Sequence, residues 1–476
     1  APGIFVIGEI TYPNGTLQGE LPGTKTLNPG NPFNVPSLID GFTISGGKAG
    51  GGIFAVAGVK NLTISNNNIT NNQGNLAGGI GIGTSDVGFD SQNDNVVIRG
   101  NMVHSNGGVD GSGGIAMNEG SEGYVVEDNL VTGNFSRFNG GGIAHNGYSP
   151  GNNVIRGNRV LFNEVFFGAL LNTAGDGGGI FVGDNVAGVE GTGNVTIEAN
   201  LIQGNLTSAG SGAGIRAFAV NADDVRQAPT DDTNWSRLNI VNNMIVNNVA
   251  GVAGGGISLQ DVLRANIVNN TIANNDSTAT GILAFAPGAA DSTPQPAGVV
   301  TGMHSSALMA LLGAGTTEPA YANPVLLNNI VWQNRSFFND ASLNGGAGGL
   351  APDPDGPYWD LGVINAVGTP PTLNPDESIL STLSSHGKNY ADGTNVAANP
   401  AFVLGYSNVL QTATVIDEGG NNINVLFTPL DPAAGDYHIT AASPAIDQGS
   451  GVGAPATDFD GDTRNVVDIG ADELTS

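Results

Sequence analysis

Eight times along the chain one phrase recurs: an aliphatic residue, two variable residues, Asn, one variable residue, Ile or Val, two variable residues, Asn. The copies run Ile64 to Asn72, Ile98 to Asn106, Val126 to Asn134, Ile155 to Asn163, Ile197 to Asn205, Ile240 to Asn248, Ile267 to Asn275 and Leu326 to Asn334. Between them stands a second phrase, a Gly pair or triplet followed by Ile, at Ile53, Ile80, Ile115, Ile143, Ile180, Ile215, Ile257 and, in weaker form, Ile282. Two short β-type phrases in fixed order mark a coil that stacks on copies of itself. A chain of 476 residues with such a repeat is expected to form one elongated body with appended pieces, not two or three globular domains.

Strand side chains alternate with period two, so two aliphatic positions five apart both face inward only if the chain bends between them. The Asn in the middle is the expected bend, because Asn tolerates left-handed backbone conformations. Its amide is placed to bond the equivalent Asn one coil away, about 4.8 Å along the stack. Two internal ladders follow, Asn67, Asn101, Asn129, Asn158, Asn200, Asn243, Asn270, Asn329 and Asn72, Asn106, Asn134, Asn163, Asn205, Asn248, Asn275, Asn334. The position after the first aliphatic residue points to solvent and reads Arg99, Glu127, Arg156, Glu198 in four successive coils. Alternating charge in one column requires these coils to be neighbours in register.

Short coils span 27 to 29 residues (Asn101 to Asn129, Asn129 to Asn158, Asn243 to Asn270), enough for three strands and three turns. The predicted fold is all-β, a right-handed parallel β-helix (β-solenoid) of about ten coils with loop insertions and a small C-terminal module. Residues 1–37 are read as N-terminal strands or a cap, 38–275 as regular coils and 276–323 as a Pro-rich insertion with a short helix at Ser305 to Leu312. Residues 324–430 are read as later, irregular coils and 431–476 as the closing module.

Composition narrows the partners. The chain carries 42 acidic against 14 basic residues, a net charge of −28, which disfavours nucleic acid and anionic membranes and favours divalent cations. With no cysteine, disulfides, Cys-ligated zinc and Cys nucleophiles are excluded together. No stretch approaches the roughly 20 apolar residues of a membrane helix. The start, Ala1-Pro2-Gly3-Ile4, lacks a basic and apolar signal segment, so the chain is read as mature or as part of something longer.

Leu38-Ile39-Asp40-Gly41-Phe42-Thr43-Ile44-Ser45-Gly46-Gly47 and the Gly-Gly-Gly-Ile phrases resemble the right-handed parallel β-helix proteins of bacterial surfaces. The ending is more specific. Gly435 to Ile439, Ser443-Pro444-Ala445-Ile446-Asp447-Gln448-Gly449, Asp458 to Arg464 and Asp468 to Glu473 are similar to the closing module of the choice-of-anchor Q family. That resemblance implies a secreted, surface-linked protein whose relatives continue into a sorting or anchoring tail.

Parallel β-helices include polysaccharide lyases and hydrolases, so an enzyme is one function class open to such a chain. By resemblance, pectin-type hydrolases need clustered Asp, a Gly-His-Gly and an Arg-x-Lys. Here the nearest His phrase is Ser385-His386-Gly387, and Lys25, Lys48, Lys60 and Lys388 share no column. His145 stands in a column of Ile82, Met117 and Val182 and is read as a core histidine; His104, among Thr70 and Thr132, as a solvated one. Two expanded connections, after Ile215 and after Ile282, leave the same edge and are placed to wall a groove containing Asp223, Asp224, Arg226, Asp231, Asp232 and Trp235. The alternative is a solvated acidic loop with Trp235 packed on the coil. A third loop, Glu164 to Asp176, carries an apolar run from Val165 to Leu171 that would cover the coil, a neighbouring segment or a partner.

Asp458, Asp460 and Asp462 alternate around Gly461, a spacing that suits one structural Ca2+, or else a turn neutralised by Arg464. The function expected is that of a secreted, cell-surface or matrix β-solenoid with a structural or adhesive role. Its expected partners are other copies of itself or other surface proteins. The rival is a polysaccharide-binding or polysaccharide-degrading protein that uses the groove near residues 221–237.

Overall fold

The computed structural model describes the chain except residues 9, 12–25, 28–35, 85–90, 110, 167–174, 185, 392, 418–419, 428–434 and 475–476. Most of the expected N-terminal cap and the second half of the apolar run, 167–171, therefore lie outside the described residues. So do the side chains of 10–11, 26–27, 411–417 and 420–427.

The repeat folds as a parallel β-helix. Its Gly-Ile phrases form one column of ten strands, from Ile4–Val6 to Leu361–Ile364. The first half of each Asn phrase forms a second column, also of ten, from Ser37–Asp40 to Pro375–Asp376. The second half forms a third of eleven, from Thr43–Ser45 to Val396–Ala397. Three strands per coil were expected, but a fourth column of short strands follows the second Asn, beginning at Gln73–Gly74. The second Asn thus marks a corner as sharp as the first.

The corner geometry corrects another expectation. The left-handed residue is not the ladder Asn but the one before it: Asn66, Asp128, Ala199, Asn242, Asn269 and Asn328 have φ of 52° to 55°, and Asn71, Asn247 and Asn274 repeat this at the second corner. With its neighbour making the bend, the ladder Asn turns its amide inward. Asn158 shows the pattern. Its Oδ1 accepts from the backbone N–H and Nδ2 of Asn129 (3.0 Å each), while its own Nδ2 donates to Val126 O (2.9 Å) and to Asn200 Oδ1 (3.0 Å). The two ladders run buried from Asn67 to Asn329 and from Asn72 to Asn334. They end on other acceptors, Ser378 Oγ beyond Asn329 and Asp360 Oδ1 beyond Asn334.

The Gly before each inward Ile is sterically required. A Cβ on Gly79 would lie 2.5 Å from Gly114 O and 2.6 Å from a methyl of Val103. Here the sequence reading misplaced one coil: Val299, after Gly298, pairs with Ile257 in this column, and Ile282 sits half-exposed in a 3-10 turn. Gly298 packs directly on the rungs, with Asp360 O and Asn334 Nδ2 against it, which fits it for that place.

The charge column is in register as expected, Arg99 opposite Glu127, Glu127 opposite Arg156, and Arg156 opposite Glu198. Arg156 pairs with Glu127 at 2.7 Å and reaches Glu198 at 4.0 Å. Arg99 makes no ion pair among the described residues. These half-exposed pairs hold register more than they add stability.

Asn158→Ala is expected to lower unfolding stability by about 3 kcal/mol, because it strands the Asn129 donors and Val126 O in the core. Arg156→Ala is expected to cost under about 1 kcal/mol. Urea denaturation followed by circular dichroism measures both.

Candidate functional site

The two insertions expected to wall a groove pack on each other instead. The first carries a short helix, α1 (Asp223–Gln227), and the second carries α2 (Ser306–Leu312), capped by Ser305 Oγ, which accepts from Leu308 N. Val225, Trp235, Leu263, Leu308 and Leu312 form a small apolar cluster between them. Trp235 is 3% exposed, and its indole N–H donates to Ala228 O at 2.8 Å. The Arg264 guanidinium lies 4.8 Å from its ring centroid.

The polar residues singled out there serve this packing. Asp224 accepts from the backbone N–H groups of Ala222, Val225 and Ser236 and from Asn221 Nδ2, so its carboxylate knots the loop. Asp223 pairs with Arg226, which also donates to Gly188 O and Val189 O. Asp231 caps the turn at Thr233, and Asp232 joins Arg264 and Glu318 in a network across the two insertions. Hydrogen bonds and charge from Arg264 hold the Asp232 carboxyl below its ordinary range.

An open groove does exist, on the other side of the first insertion. It measures about 420 Å3 and is lined by Tyr148, Pro150, Asn194, Asp224, Gln227 and Asn234 among others. Beside it stand three acids that sequence reading missed, Glu119, Glu190 and Asp184. Burial, the charge of Glu190 and a shared hydrogen bond with it push the Glu119 carboxyl up to about 7, with Asp184 adding to the effect. Glu190 is raised as well, by burial and Asp184. A carboxyl raised in this way beside a second acid suits general acid–base chemistry. Tyr148 links pair and groove: burial, then the charges of Asp224, Glu122 and Glu190, raise its phenol. No sequence period could bring Glu119 to Glu190, since both lie on corner loops outside the repeated phrases.

A second cleft, of about 410 Å3, opens near the far end of the coil between Trp359, Leu361, Val363, Pro370, His386 and Tyr390. His386 stacks on Trp359 at 3.8 Å between centroids and an angle of 4°. Its Nε2 lies 3.0 Å from Asp353 Oδ2, and its Nδ1 lies 2.6 Å from Ser385 Oγ. The ring nitrogens are used in the reverse order from a serine hydrolase. Ser385 Oγ also donates to Tyr358 O at 3.2 Å, so the trio buttresses the cleft wall.

His145 is fully buried, 2.9 Å from Tyr124 Oη and 3.1 Å from Thr192 O; burial drops its pKa to about 4, so it stays neutral in the core. His104 contacts Asn68 and Thr70 on the coil surface. Asp458, Asp460 and Asp462 do not gather around one point. Asp458 is buried and accepts the N–H groups of Asp460, Asp462 and Glu473. Asp460 turns to His438, and Asp462 stays exposed. Arg464 pairs with Glu473 at 3.0 Å.

Residues 33–160 match the family model described as "Right handed beta helix region". Together with the three all-parallel columns, this makes the chain a right-handed parallel β-helix. No curated protein and no solved structure matches the chain.

Because the folded Glu119 carboxyl holds its proton to about pH 7 and an ordinary one loses it near 4.5, the native state binds the extra proton between these values. Stability at Glu119 is therefore present at pH 4.5 and lost as pH rises through 7. Glu119→Gln is expected to remove this loss and stabilise the chain at pH 8 relative to wild type. The gain is limited to about 1 kcal/mol by solvent screening of a half-open site, and urea midpoints at pH 5 and pH 8 read it.

Proposed function

We propose that the chain is a secreted β-solenoid with a structural or adhesive role at a cell surface or in an extracellular matrix. The observation that carries this reading is the packing of the two large insertions on each other, with Trp235 buried between them. Loops that would build a substrate cleft instead thicken and brace the coil. The surrounding body suits the role: two buried amide ladders cross-link successive coils, and the strongly acidic surface resists non-specific association. The closing module's resemblance to surface-linked proteins supports the same location.

A second reading, a polysaccharide-binding or polysaccharide-degrading protein, is favoured by one observation, the hydrogen-bonded Glu119–Glu190 pair beside the groove. The two readings diverge in one experiment. The purified chain is incubated with acidic and neutral polysaccharides while reducing ends and unsaturated products are measured, and in parallel its retention on cell-wall or matrix material is assayed. The structural reading expects retention without product. Product formation that disappears in Glu119→Gln, with circular dichroism unchanged, would replace it by the enzymatic one.

A further inference from the structure

The closing segment holds a cluster that neither the coil repeat nor the acidic groove uses. His438 lies on the strand Asp436–Ile439, Asp460 in the turn that Asp458 organises, and Asp472 on the terminal stretch. One nitrogen of His438 and one oxygen from each carboxylate lie within 4.8 Å of one another. Three segments separated along the chain thus bring an imidazole and two carboxylates to one place.

The groups are held as ligands are held. Asp436 Oδ1 takes His438 Nδ1 at 2.5 Å, which fixes the ring and aims Nε2 at Asp460 Oδ2, 2.9 Å away. A carboxylate on the far nitrogen is the usual outer partner of a metal-binding histidine. Asp472 is 7% exposed; Ile439 N donates to its Oδ2 at 2.7 Å, and its other oxygen has no donor among the described residues. Three carboxyl groups, those of Asp436, Asp460 and Asp472, thus surround one imidazole.

We propose that His438, Asp460 and Asp472 bind one divalent first-row transition ion, of the zinc or manganese type, with Asp436 orienting the imidazole. Metal–ligand distances of about 2.0 to 2.2 Å place the ligand atoms of such a site roughly 3 to 3.5 Å apart. His438 Nε2 and Asp460 Oδ2 already stand 2.9 Å apart, and the Asp460 side chain, 49% exposed, has room to adjust to an ion. The imidazole selects against calcium, which takes oxygen ligands. Water completes the coordination, and the ion pins the last strand, the Asp458 turn and the terminal stretch to each other. This inference is independent of the structural reading above: a bound ion is compatible with either function.

Isothermal titration of the untagged, chelator-stripped full chain with zinc chloride or manganese chloride tests it, alongside thermal unfolding. One saturable site with Kd below about 100 µM and a higher Tm are expected, with no response to calcium chloride. Asp460→Asn and His438→Gln are expected to abolish that site, and Asp436→Asn to weaken it about tenfold or more. Asp460 is half-exposed, so its variant should keep the wild-type circular dichroism. Absence of saturable binding, binding unchanged in Asp460→Asn, or an equal response to calcium would each overturn the proposal.

Discussion

The hydrogen bond from one asparagine amide to the asparagine of the next coil is the interaction on which the rest of this structure depends. A coil of 27 to 29 residues has too little apolar surface to fold alone. At every corner the chain must also leave the strand conformation, which exposes a backbone N–H that no parallel neighbour can take. The Asn side chain answers both needs, because its Oδ1 takes that N–H and the amide of the coil before. Removing one rung therefore affects two coils, and the residues between corners need only be aliphatic and correctly spaced.

With a regular body in place, its interruptions acquire specific tasks. The insertions around α1 and α2 bury Trp235 and tie their charges into the Asp232–Arg264–Glu318 network. The closing module lies along the outer face of the third column. There the outward residues change from Thr70, His104 and Thr132 in early coils to Met244, Val246, Ala273 and Ile330 in later ones, and Tyr437, Ile439, Ala471 and Ile469 cover them. The left-handed Asn residues of the same coils point outward and grip the module and the segment before it: Asn242 donates to Thr457 O, Asn269 to Asp468 O and Asn328 to Ser450 O, while Asn247 donates to Tyr406 O. In these later coils a double Asn at a corner serves two directions, one side chain for the ladder and one for the module.

That docking surface is written in the sequence as a change of outward residues from polar to apolar. The inward pattern hides it, being the same throughout. The fourth strand column was missed for a similar reason: two-residue strands carry no period. Ile282 was placed in the Gly-Ile column on the strength of a nearby Gly, whereas the competing Gly298-Val299 fits under Asn334.

Local periodicity sets the coil: its length, its inward residues, the ladder positions and the registered charge column. Only the tertiary structure decided which acids meet. Glu119 with Glu190, and His438 with Asp460 and Asp472, come from separate coils or loops. Their chemistry depends on burial and on distances across the stack, and no spacing along the chain encodes either one.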